Sequence, residues 1–404
     1  MDSPAGSALD GPMPGNPCSV HWTLDPDVTF LNHGSFGACP AVVLEAQRRL
    51  RDRMERQPVQ FLARDLEGLL DGARAGLAGF IGADPDDLAF VPNATTGVNT
   101  VIRALRLEPG QELLTTDHVY NACRNALLWA EGQGARVVVC RVPFPLASPD
   151  EVVAALVERA SPRTRLALVD HVTSPTGLVY PVERIVRELS SRGIETLVDG
   201  AHAPGMVPLD VGALGAAYYT GNCHKWLCAP KGAAFLHVRR DRQEGLRPIV
   251  ISHGANSPRT DRSRFRLEFD WGGTDDPTPY LCIREAIRFL GALLPGGLPE
   301  LRERNRTLAL QGRSTLCAAL GISPPAPEEM IGSLAAVPLP PGGASATVLP
   351  MLDLLQKALY EKHRIEVPVF PFPAPPQRLL RVSAQIYNAP EQYQRLAEAL
   401  RELL

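Results

Sequence analysis

The chain has 404 residues, of which 45% are hydrophobic and 21% charged, a balance typical of globular proteins with a substantial core. The formal net charge is −3, which excludes the basic excess of a nucleic-acid-binding protein or of a surface made for anionic membranes. No apolar run approaches the ~18 residues of a membrane-spanning helix. The first basic residue is Arg48, so the pattern of a signal or transit peptide is missing and we expect a cytoplasmic protein.

Cysteine usage indicates reduced thiols rather than a disulfide scaffold. Eight cysteines are spread over 404 residues, far below the density of disulfide-rich domains. The segment CHKWLC (223–228) combines two cysteines with a histidine, as a zinc site would. No second ligand pair follows it at a matching spacing, so we predict no metal site.

The first two thirds of the chain divide into a tail, two helices and a region of alternating strands and helices. Residues 1–20 are rich in Pro, Gly and Ser without periodicity and are predicted to be disordered. Apolar residues then recur at helical spacing over 41–81, interrupted near Pro58, which predicts two helices. Short apolar runs next predict strands at 88–91, 112–116, 136–140, 165–170, 196–199, 216–220 and 233–238. Helical patterns between these runs lie at 97–106, 119–131, 149–160 and 182–192.

This alternation predicts an α/β fold, in which a mainly parallel sheet is covered by helices on both faces. The alternation ends near residue 276. Beyond it, helices are predicted at 279–293, 298–320, 347–363 and 390–403, around strands at 333–338, 365–370 and 378–386. We therefore expect a large domain over 21–275, which includes the N-terminal segment, and a smaller α/β domain over 276–404.

Polar residues follow the predicted strands at their carboxyl ends, where parallel sheets place ligand sites. After the strand LAFV, Thr95 and Thr96 open a helix in PNATTG, and free N–H groups at a helix start suit a phosphate. An ordinary helix cap is the alternative. The strand TLVD ends in Asp199, which would suit a protonated heterocyclic nitrogen because a buried carboxylate needs a partner; a turn cap is the alternative. The GxGxxG and Gly-Lys-Ser/Thr fingerprints do not occur.

Lysine is rare in this chain, which makes the choice of a reactive amine easy. Four of the 41 basic residues are lysines, at positions 225, 231, 357 and 362. Lys225 follows a predicted strand in GNCHKW, and apolar surroundings there would favour the neutral amine that forms a Schiff base. The other three lie on an amphipathic helix or in a loop. A phosphate cradle, a carboxylate and a Schiff-base lysine, each at a strand end, are the groups that pyridoxal phosphate requires.

Six longer motifs carry a resemblance to a known family. They are LNHGSFG (31–37), PNATTGVN (92–99), VDGAHAPG (198–205), GNCHKW (221–226), WGGTDDPTPYL (271–281) and LLRVSAQIYN (379–388). Over about residues 24–402 the sequence resembles the class V aminotransferase superfamily of fold-type I pyridoxal-phosphate enzymes, and within it the isopenicillin-N-epimerase-like branch. This resemblance implies the fold-type I architecture and pyridoxal phosphate as cofactor.

The resemblance also implies which residues hold the cofactor. Lys225 would form the Schiff base and then act as the base at the α-carbon. Asp199 would pair with the pyridine nitrogen, and His202 would hydrogen-bond the phenolic oxygen. Tyr120 would stack on the ring. The residues implied for the phosphate are Thr95, Thr96, Asn222 and His224, with Thr274 from the second subunit of a homodimer.

For the amino-acid substrate, the resemblance implies Arg381 as a bidentate partner of the carboxylate. Asn32 and His33 would line the mouth of the site, with loop hydrogen bonding as the alternative. Cysteine desulfurases of this superfamily carry a catalytic cysteine on a loop that corresponds to residues 367–383, which here contain none, so that activity is disfavoured. Asn222 and Cys223 stand where many relatives have Ser-Gly, which leaves the role of Asn222 open.

The reaction stays open at this stage. Removal of the α-proton by Lys225 would begin epimerisation, C–S lysis by β-elimination and transamination alike. A cofactor-binding protein without catalysis is a further alternative, against which the joint retention of Lys225, Asp199, His202 and Arg381 argues. Four arginines between 259 and 266 would contact either an acidic substrate end or, in a solvated loop, a second subunit.

Overall fold

The structure is a computed structural model that describes residues 16–342, 347–349 and 352–404. Its strands, in chain order, are β1 (Thr29–Phe30), β2 (Leu88–Val91), β3 (Glu112–Thr116), β4 (Arg136–Cys140), β5 (Thr164–Asp170), β6 (Glu195–Asp199), β7 (Tyr218–Asn222), β8 (Ala234–Val238), β9 (Leu334–Leu339), β10 (Thr347–Leu349), β11 (Leu352–Asp353), β12 (Ile365–Glu366), β13 (Val369–Pro371) and β14 (Arg378–Ser383).

The α-helices, in chain order, are α1 (His33–Phe36), α2 (Ala41–Arg56), α3 (Leu66–Ile81), α4 (Ala94–Ala104), α5 (Asn121–Glu131), α6 (Asp150–Arg159), α7 (Val182–Ser190), α8 (Val211–Leu214), α9 (Arg264–Phe269), α10 (Thr278–Leu281), α11 (Ile283–Ala292), α12 (Gly297–Leu320), α13 (Leu354–His363) and α14 (Pro390–Leu403). A π-helical segment, Gln60–Asp65, precedes α3. The two helices predicted on either side of Pro58 and the seven predicted strands of the large sheet are therefore confirmed.

The large sheet has seven strands in the order β2-β8-β7-β6-β5-β3-β4. Its pairs are parallel except those of β8, which runs antiparallel to β2 and β7. The mainly parallel α/β architecture predicted from the sequence is confirmed. Side chains of β5 alternate between two apolar clusters: Leu166 and Leu168 pack with α4 and α5, whereas Ala167 and Val169 face the cluster that includes α7. Because these strands are buried on both faces, their sequences are continuous runs of apolar residues.

A second, three-stranded antiparallel sheet has the order β13-β14-β9; α12 packs against it, and α14 packs on α12. The N-terminal segment joins this part of the chain, because β1 pairs in parallel with β12. The backbone N–H of Ser383 also donates to the carbonyl of Leu31 at 2.8 Å. Residues that lie more than 330 positions apart in sequence therefore meet beside the central sheet.

Two predictions along the chain are wrong in part. Residues 347–349 and 352–353 form an antiparallel strand pair instead of the start of a helix. Pro350 disfavours a helix interior, and Asp353 caps α13 by accepting the N–H of Leu355 at 2.8 Å. Disorder predicted over 1–20 does not hold for Pro17–His21, which form a 3₁₀ turn capped by Asn16; residues 1–15 lie outside the described residues. Within the described residues, no helix is both long and apolar enough to cross a bilayer.

Candidate active site

A cavity of about 530 Å³ lies at the carboxyl ends of β2, β5, β6 and β7. Because parallel strands end at one edge of a sheet, residues from distant parts of the sequence meet there. The structure brings eight of the predicted site residues together in its wall: Thr95, Thr96, Tyr120, Asp199, His202, Asn222, His224 and Lys225.

Lys225 lies in the turn after β7, where the main chain is closely packed. Gly37 has φ +70°, and a Cβ there would overlap the backbone of His224 and Lys225. Lys225 is half-buried and lines the cavity. Burial, and then the positive charge of Arg381, lower the pKa of Lys225 to about 8. A considerable fraction of the amine is therefore neutral near physiological pH, as a nucleophile requires.

His202 connects Lys225 to Trp226. Its Nε2 lies 3.2 Å from the amine of Lys225, and the indole N–H of Trp226 donates to its Nδ1 at 3.3 Å. Burial and the nearby positive charge of Lys225 hold the pKa of His202 well below its usual value. A neutral ring whose Nδ1 accepts must carry its proton on Nε2. His202 therefore offers an N–H donor to the cavity, the group that a phenolate oxygen would need.

Asp199 ends β6 and is 3% exposed. One carboxylate oxygen accepts the N–H of Ala201 at 2.9 Å, and the other accepts the thiol of Cys123 at 3.2 Å. Burial raises the pKa of Asp199, and the charge of Lys225 opposes the shift. A protonated ring nitrogen in the cavity would supply a stronger partner for this carboxylate than a thiol does.

Anion-binding groups gather at the start of α4. Asn93 is the cap, since its Oδ1 accepts the N–H of Thr96 at 2.8 Å and the Thr96 hydroxyl at 3.1 Å. Asn222 accepts the N–H of Ala94 at 2.8 Å, which gives it a role in holding this turn. Within the described residues, the N–H and hydroxyl of Thr95 and the amide N–H groups of Asn222 have no hydrogen-bond partner. These donors can hold a phosphate, whereas the donors of Thr96 already bind Asn93.

His224 is neutral and presents a hydrogen-bond acceptor to the cavity. Its Nδ1 donates to the carbonyl of Ala233 at 2.9 Å, and burial lowers the pKa of His224 to about 4. A neutral ring with Nδ1 protonated leaves a lone pair on Nε2. His224 can therefore bind a phosphate dianion only by taking up a proton when the anion arrives, because an opposite charge raises the pKa of a histidine.

Arg381, on β14, lies next to the cavity and is hydrogen-bonded to two serines of the cavity wall. Its guanidinium donates to the carbonyl and hydroxyl of Ser174 and, at 3.1 Å, to the hydroxyl of Ser35. Both serines line the cavity, and the guanidinium stacks 4.9 Å from the ring of Phe370. Burial lowers the pKa of Arg381 to about 10, so it is a cation at neutral pH. Its Nε is buried and lacks a partner among the described residues.

The structure places Asn32 and His33 behind the cavity rather than at its mouth. His33 is fully buried, with Nδ1 2.8 Å from the hydroxyl of Tyr387 and Nε2 3.1 Å from the carbonyl of Lys225. Asn32 binds Glu366 and accepts the hydroxyl of Ser35. Local hydrogen bonding, the alternative considered from the sequence, is the arrangement found here, because the loop folds back over the turn that carries Lys225.

Thr274 and the arginine-rich loop also lie apart from this cavity. Thr274 lines a second, mainly apolar cavity of about 550 Å³, which shares Thr96 with the first. The four arginines are engaged within the chain, as Arg259 and Arg262 pair with Glu67. Arg264 donates to backbone carbonyls, and Arg266 pairs with acidic residues that include Asp71. This pairing disfavours their use for an acidic substrate end.

Ser35, Ser174 and Asp170 are among the wall residues that were not predicted from the sequence. Ser35 and Ser174 hold Arg381, and nothing in their local patterns distinguishes them from other loop serines. Asp170 ends the run RLALVD just as Asp199 ends TLVD. The signal that singled out Asp199, a carboxylate at the end of an apolar parallel strand, was therefore present for Asp170 as well.

Comparison with known proteins identifies the family. The model of the family "Aminotransferase class-V" matches residues 31–396. This chain belongs to the class V aminotransferase family. It is 42% identical to an isopenicillin N epimerase of Amycolatopsis lactamdurans, over 94% of this chain and 96% of the relative. It is 38% identical to that of Streptomyces clavuligerus (93% and 95%) and 31% identical to a probable chloroplastic L-cysteine desulfhydrase of Arabidopsis thaliana (94% and 84%).

Solved structures confirm the fold of this family member. A cystine C–S lyase in complex with cysteine persulfide superposes with a TM-score of 0.75 at 22% identity, over 93% of this chain and 97% of that one. The cysteine desulfurase CsdA of Escherichia coli gives a TM-score of 0.74 at 22% identity (96% and 98%). Membership of the class V aminotransferase family makes pyridoxal phosphate the cofactor, and a further structural neighbour holds glycine linked to that group. The amine, the buried carboxylate and the donors at the start of α4 fit that group.

Proposed function

We propose that this enzyme epimerises an amino acid, or a substrate that contains one, at the α-carbon. Two proton-carrying groups in one cavity, the amine of Lys225 and the hydroxyl of Tyr120, carry the proposal. Inversion requires one group to remove the α-proton and another to supply a proton on the opposite face. The names of the two relatives that are 42% and 38% identical over nearly the whole chain also support epimerisation.

The cofactor would be held at three points. Thr95, Asn222 and His224 would bind its phosphate, Asp199 its ring nitrogen, and Lys225 its aldehyde carbon. His202 would donate its Nε2–H to the phenolic oxygen. When bound, pyridoxal phosphate withdraws electrons from the α-carbon of an attached amino acid, which makes the α-proton removable.

Lys225 and Tyr120 have the properties that proton transfer requires. The lowered pKa of Lys225, about 8, provides a neutral amine that takes the proton as the α C–H bond breaks. Partial burial, and then the nearby Cys123 and Asp199, raise the pKa of Tyr120, so its hydroxyl keeps the proton that forms the new C–H bond. Tyr120 is 46% exposed, so water can return a proton to it after each turnover.

Arg381 would orient the substrate by its carboxylate. Ser35 and Ser174 fix the guanidinium on two sides, and no described residue accepts a hydrogen bond from its Nε. A carboxylate that meets a buried, pre-oriented guanidinium gains bidentate hydrogen bonds in a fixed plane. This contact would hold the α-carbon between Lys225 and Tyr120.

We also propose that two copies of the chain complete the site. Thr274 lies in the second cavity, and Thr96 lines both cavities. Ile249 and Val250, which line this cavity, and the next residue, Ile251, expose 45–69% of their surface, and an exposed apolar patch of this kind marks a contact surface. A homodimer would cover this patch and bring Thr274 of one subunit towards the phosphate end of the other. Size-exclusion chromatography with light scattering of the wild type and of Val250→Asp tests this arrangement.

C–S lysis is the second candidate, favoured by the relative named as a cysteine desulfhydrase at 31% identity. β-Elimination needs Lys225 to remove the α-proton but needs no acid on the opposite face. The role of Tyr120 therefore separates the two reactions.

Proton NMR in heavy water tests the proposal. Wild type, Tyr120→Phe and Lys225→Ala would each receive pyridoxal phosphate and a panel of isopenicillin N, L- and D-amino acids and cysteine S-conjugates. We expect wild type to incorporate deuterium at the α-carbon and to form the opposite enantiomer. Loss of a general acid costs about 10²-fold or more, so Tyr120→Phe should keep α-exchange of one enantiomer while inversion falls by that factor.

Other outcomes would contradict the proposal. Pyruvate and ammonia formed from an S-conjugate, at equal rates in wild type and Tyr120→Phe, would establish the lyase instead. Inversion at the wild-type rate in Tyr120→Phe would remove Tyr120 from the mechanism. Lys225→Ala is the blank, since it lacks the amine on which both reactions depend.

A further inference from the structure

A second carboxyl group lies beside Asp199 at the edge of the sheet. Asp170 ends β5 as Asp199 ends β6, and the two residues are register partners in this parallel pair. Register partners on neighbouring strands point to the same face of a sheet. Both residues line the cavity, and they are 2% and 3% exposed. The site therefore contains two buried carboxyl groups next to each other.

The two groups have unequal surroundings. Asp199 accepts the N–H of Ala201 and the thiol of Cys123, and the positive charge of Lys225 acts on it. Among the described residues, the carboxyl of Asp170 is stabilised by backbone N–H groups alone, its own and that of Tyr120, the N-cap residue of α5. Its Oδ2 is buried and has no hydrogen-bond partner within the described residues.

Within the part of the chain that the structure describes, no cation is placed to compensate Asp170. The titratable groups that face it are Asp199 on β6, Cys123 on α5 and Tyr180 in the segment before α7. None of these groups is a cation in any protonation state. Burial, and then the negative charge of Asp199, raise the pKa of Asp170 well above its usual value. Two like charges in a buried site cannot both persist, so one carboxyl of the pair must hold a proton.

We propose that Asp170 is the protonated member of this pair, a neutral acid that positions Asp199 and keeps it ionised for the ring nitrogen of the cofactor. Its unpartnered Oδ2 is the oxygen that carries the proton, and Asp199 is the acceptor on the adjacent strand. One negative charge then meets the one positive charge of a pyridinium. An ionised Asp170 would instead add a second, uncompensated buried charge, which is costly. This inference rests on the assignment of Asp199 to the ring nitrogen.

Asp170 is a positioning residue in this scheme, so asparagine, the neutral analogue of aspartate, should be able to take over its role. Asparagine keeps an N–H donor towards Asp199 and an oxygen for the N–H of Tyr120, whereas alanine removes both. A lost hydrogen bond to a charged group reduces affinity by about ten- to a hundredfold. We expect the dissociation constant of pyridoxal phosphate to stay within about threefold of wild type in Asp170→Asn and to rise by about tenfold or more in Asp170→Ala.

Infrared spectroscopy of the full-length protein at pH 7.5 in heavy water tests the protonation state directly. The difference spectrum obtained by subtracting Asp170→Asn from wild type should show the carbonyl stretch of one protonated carboxylic acid, both before and after addition of pyridoxal phosphate. The difference spectrum of wild type minus Asp199→Asn should instead show the loss of one ionised carboxylate, with the acid band of Asp170 shifted by the change of acceptor. Near-ultraviolet circular dichroism would check that each variant is folded.

The opposite pattern would overturn the proposal. A protonated-acid band that persists in Asp170→Asn and disappears in Asp199→Asn would place the proton on Asp199. Cofactor binding weakened as much by Asp170→Asn as by Asp170→Ala would show that the charge of Asp170 is required. The infrared result on the cofactor-free protein is independent of the reaction, so failure of the proposed epimerisation would leave it standing.

Discussion

The amine of Lys225 and Nε2 of His202 lie 3.2 Å apart, and the hydrogen bond between them has a defined direction. Trp226 donates to Nδ1 of the same ring, so Nε2 carries the proton and the amine is the acceptor. An ammonium group has no lone pair, and hence this contact favours the neutral form of Lys225. Burial acts in the same direction.

The first prediction concerns the pH dependence of cofactor capture. The pKa of Lys225 is lowered from 10.5 to about 8, and the neutral amine is the reactive form. The rate of covalent binding of pyridoxal phosphate should therefore rise with pH, with a midpoint near 8. Stopped-flow absorbance of the bound cofactor measures this rate, with Lys225→Ala as control. A rate that climbs steadily to pH 10, as for an exposed lysine, would contradict the prediction.

A second prediction compares two glycines with similar φ angles. Gly37 and Gly193 have φ of +70° and +75°, but a Cβ would overlap the backbone of Lys225 only at Gly37 and would meet open space at Gly193. Left-handed backbone costs an alanine about 1–2 kcal/mol, so Gly193→Ala should lose that much stability and keep its cofactor spectrum. Gly37→Ala should lose more and show an altered visible band, because Lys225 must shift. Urea unfolding and absorption spectra check both variants.

The third prediction is that Arg381 cannot be replaced by lysine. Ser35 and Ser174 hold the guanidinium in one orientation, and an ammonium cannot reproduce its planar pair of donors. We expect Arg381→Lys to reduce kcat/KM by about 10²-fold, mainly through KM. Ser35→Ala is the matched control, with an expected loss of only about fivefold because one neutral hydrogen bond is removed. Equal losses in the two variants would argue against substrate binding by Arg381.

Acid lability is the fourth prediction. Burial lowers the pKa of His33 from 6.5 to about 3, so between these values the unfolded chain binds a proton that the folded chain excludes. By linkage, stability then falls as pH drops below 6.5, by about 2 kcal/mol at pH 5 for this residue. Urea midpoints at pH 7.5 and 5 should therefore differ less in His33→Asn than in wild type. An unchanged difference would show that His33 does not contribute.

Much of the site followed from the sequence because its signals are local. Each apolar run marks one strand, and the carboxyl ends of parallel strands must share an edge, so the positions of Asp199 and Lys225 along the chain were enough to place them together. Because the chain has four lysines, few candidates remained for the amine that forms the Schiff base. The same reasoning extends to Asp170, whose position at a strand end carries the same signal as that of Asp199.

Tertiary structure alone decided the chemistry of individual side chains. The orientation of the Arg381 guanidinium depends on Ser174 and Ser35, which lie 207 and 346 positions away in sequence. His33 binds the carbonyl of Lys225 instead of lining the cavity. Asp170 has Asp199 as its neighbour only because β5 and β6 pair in that register. Burial, charge and hydrogen-bond partners set the protonation of such groups, and all three arise where distant segments pack against one another.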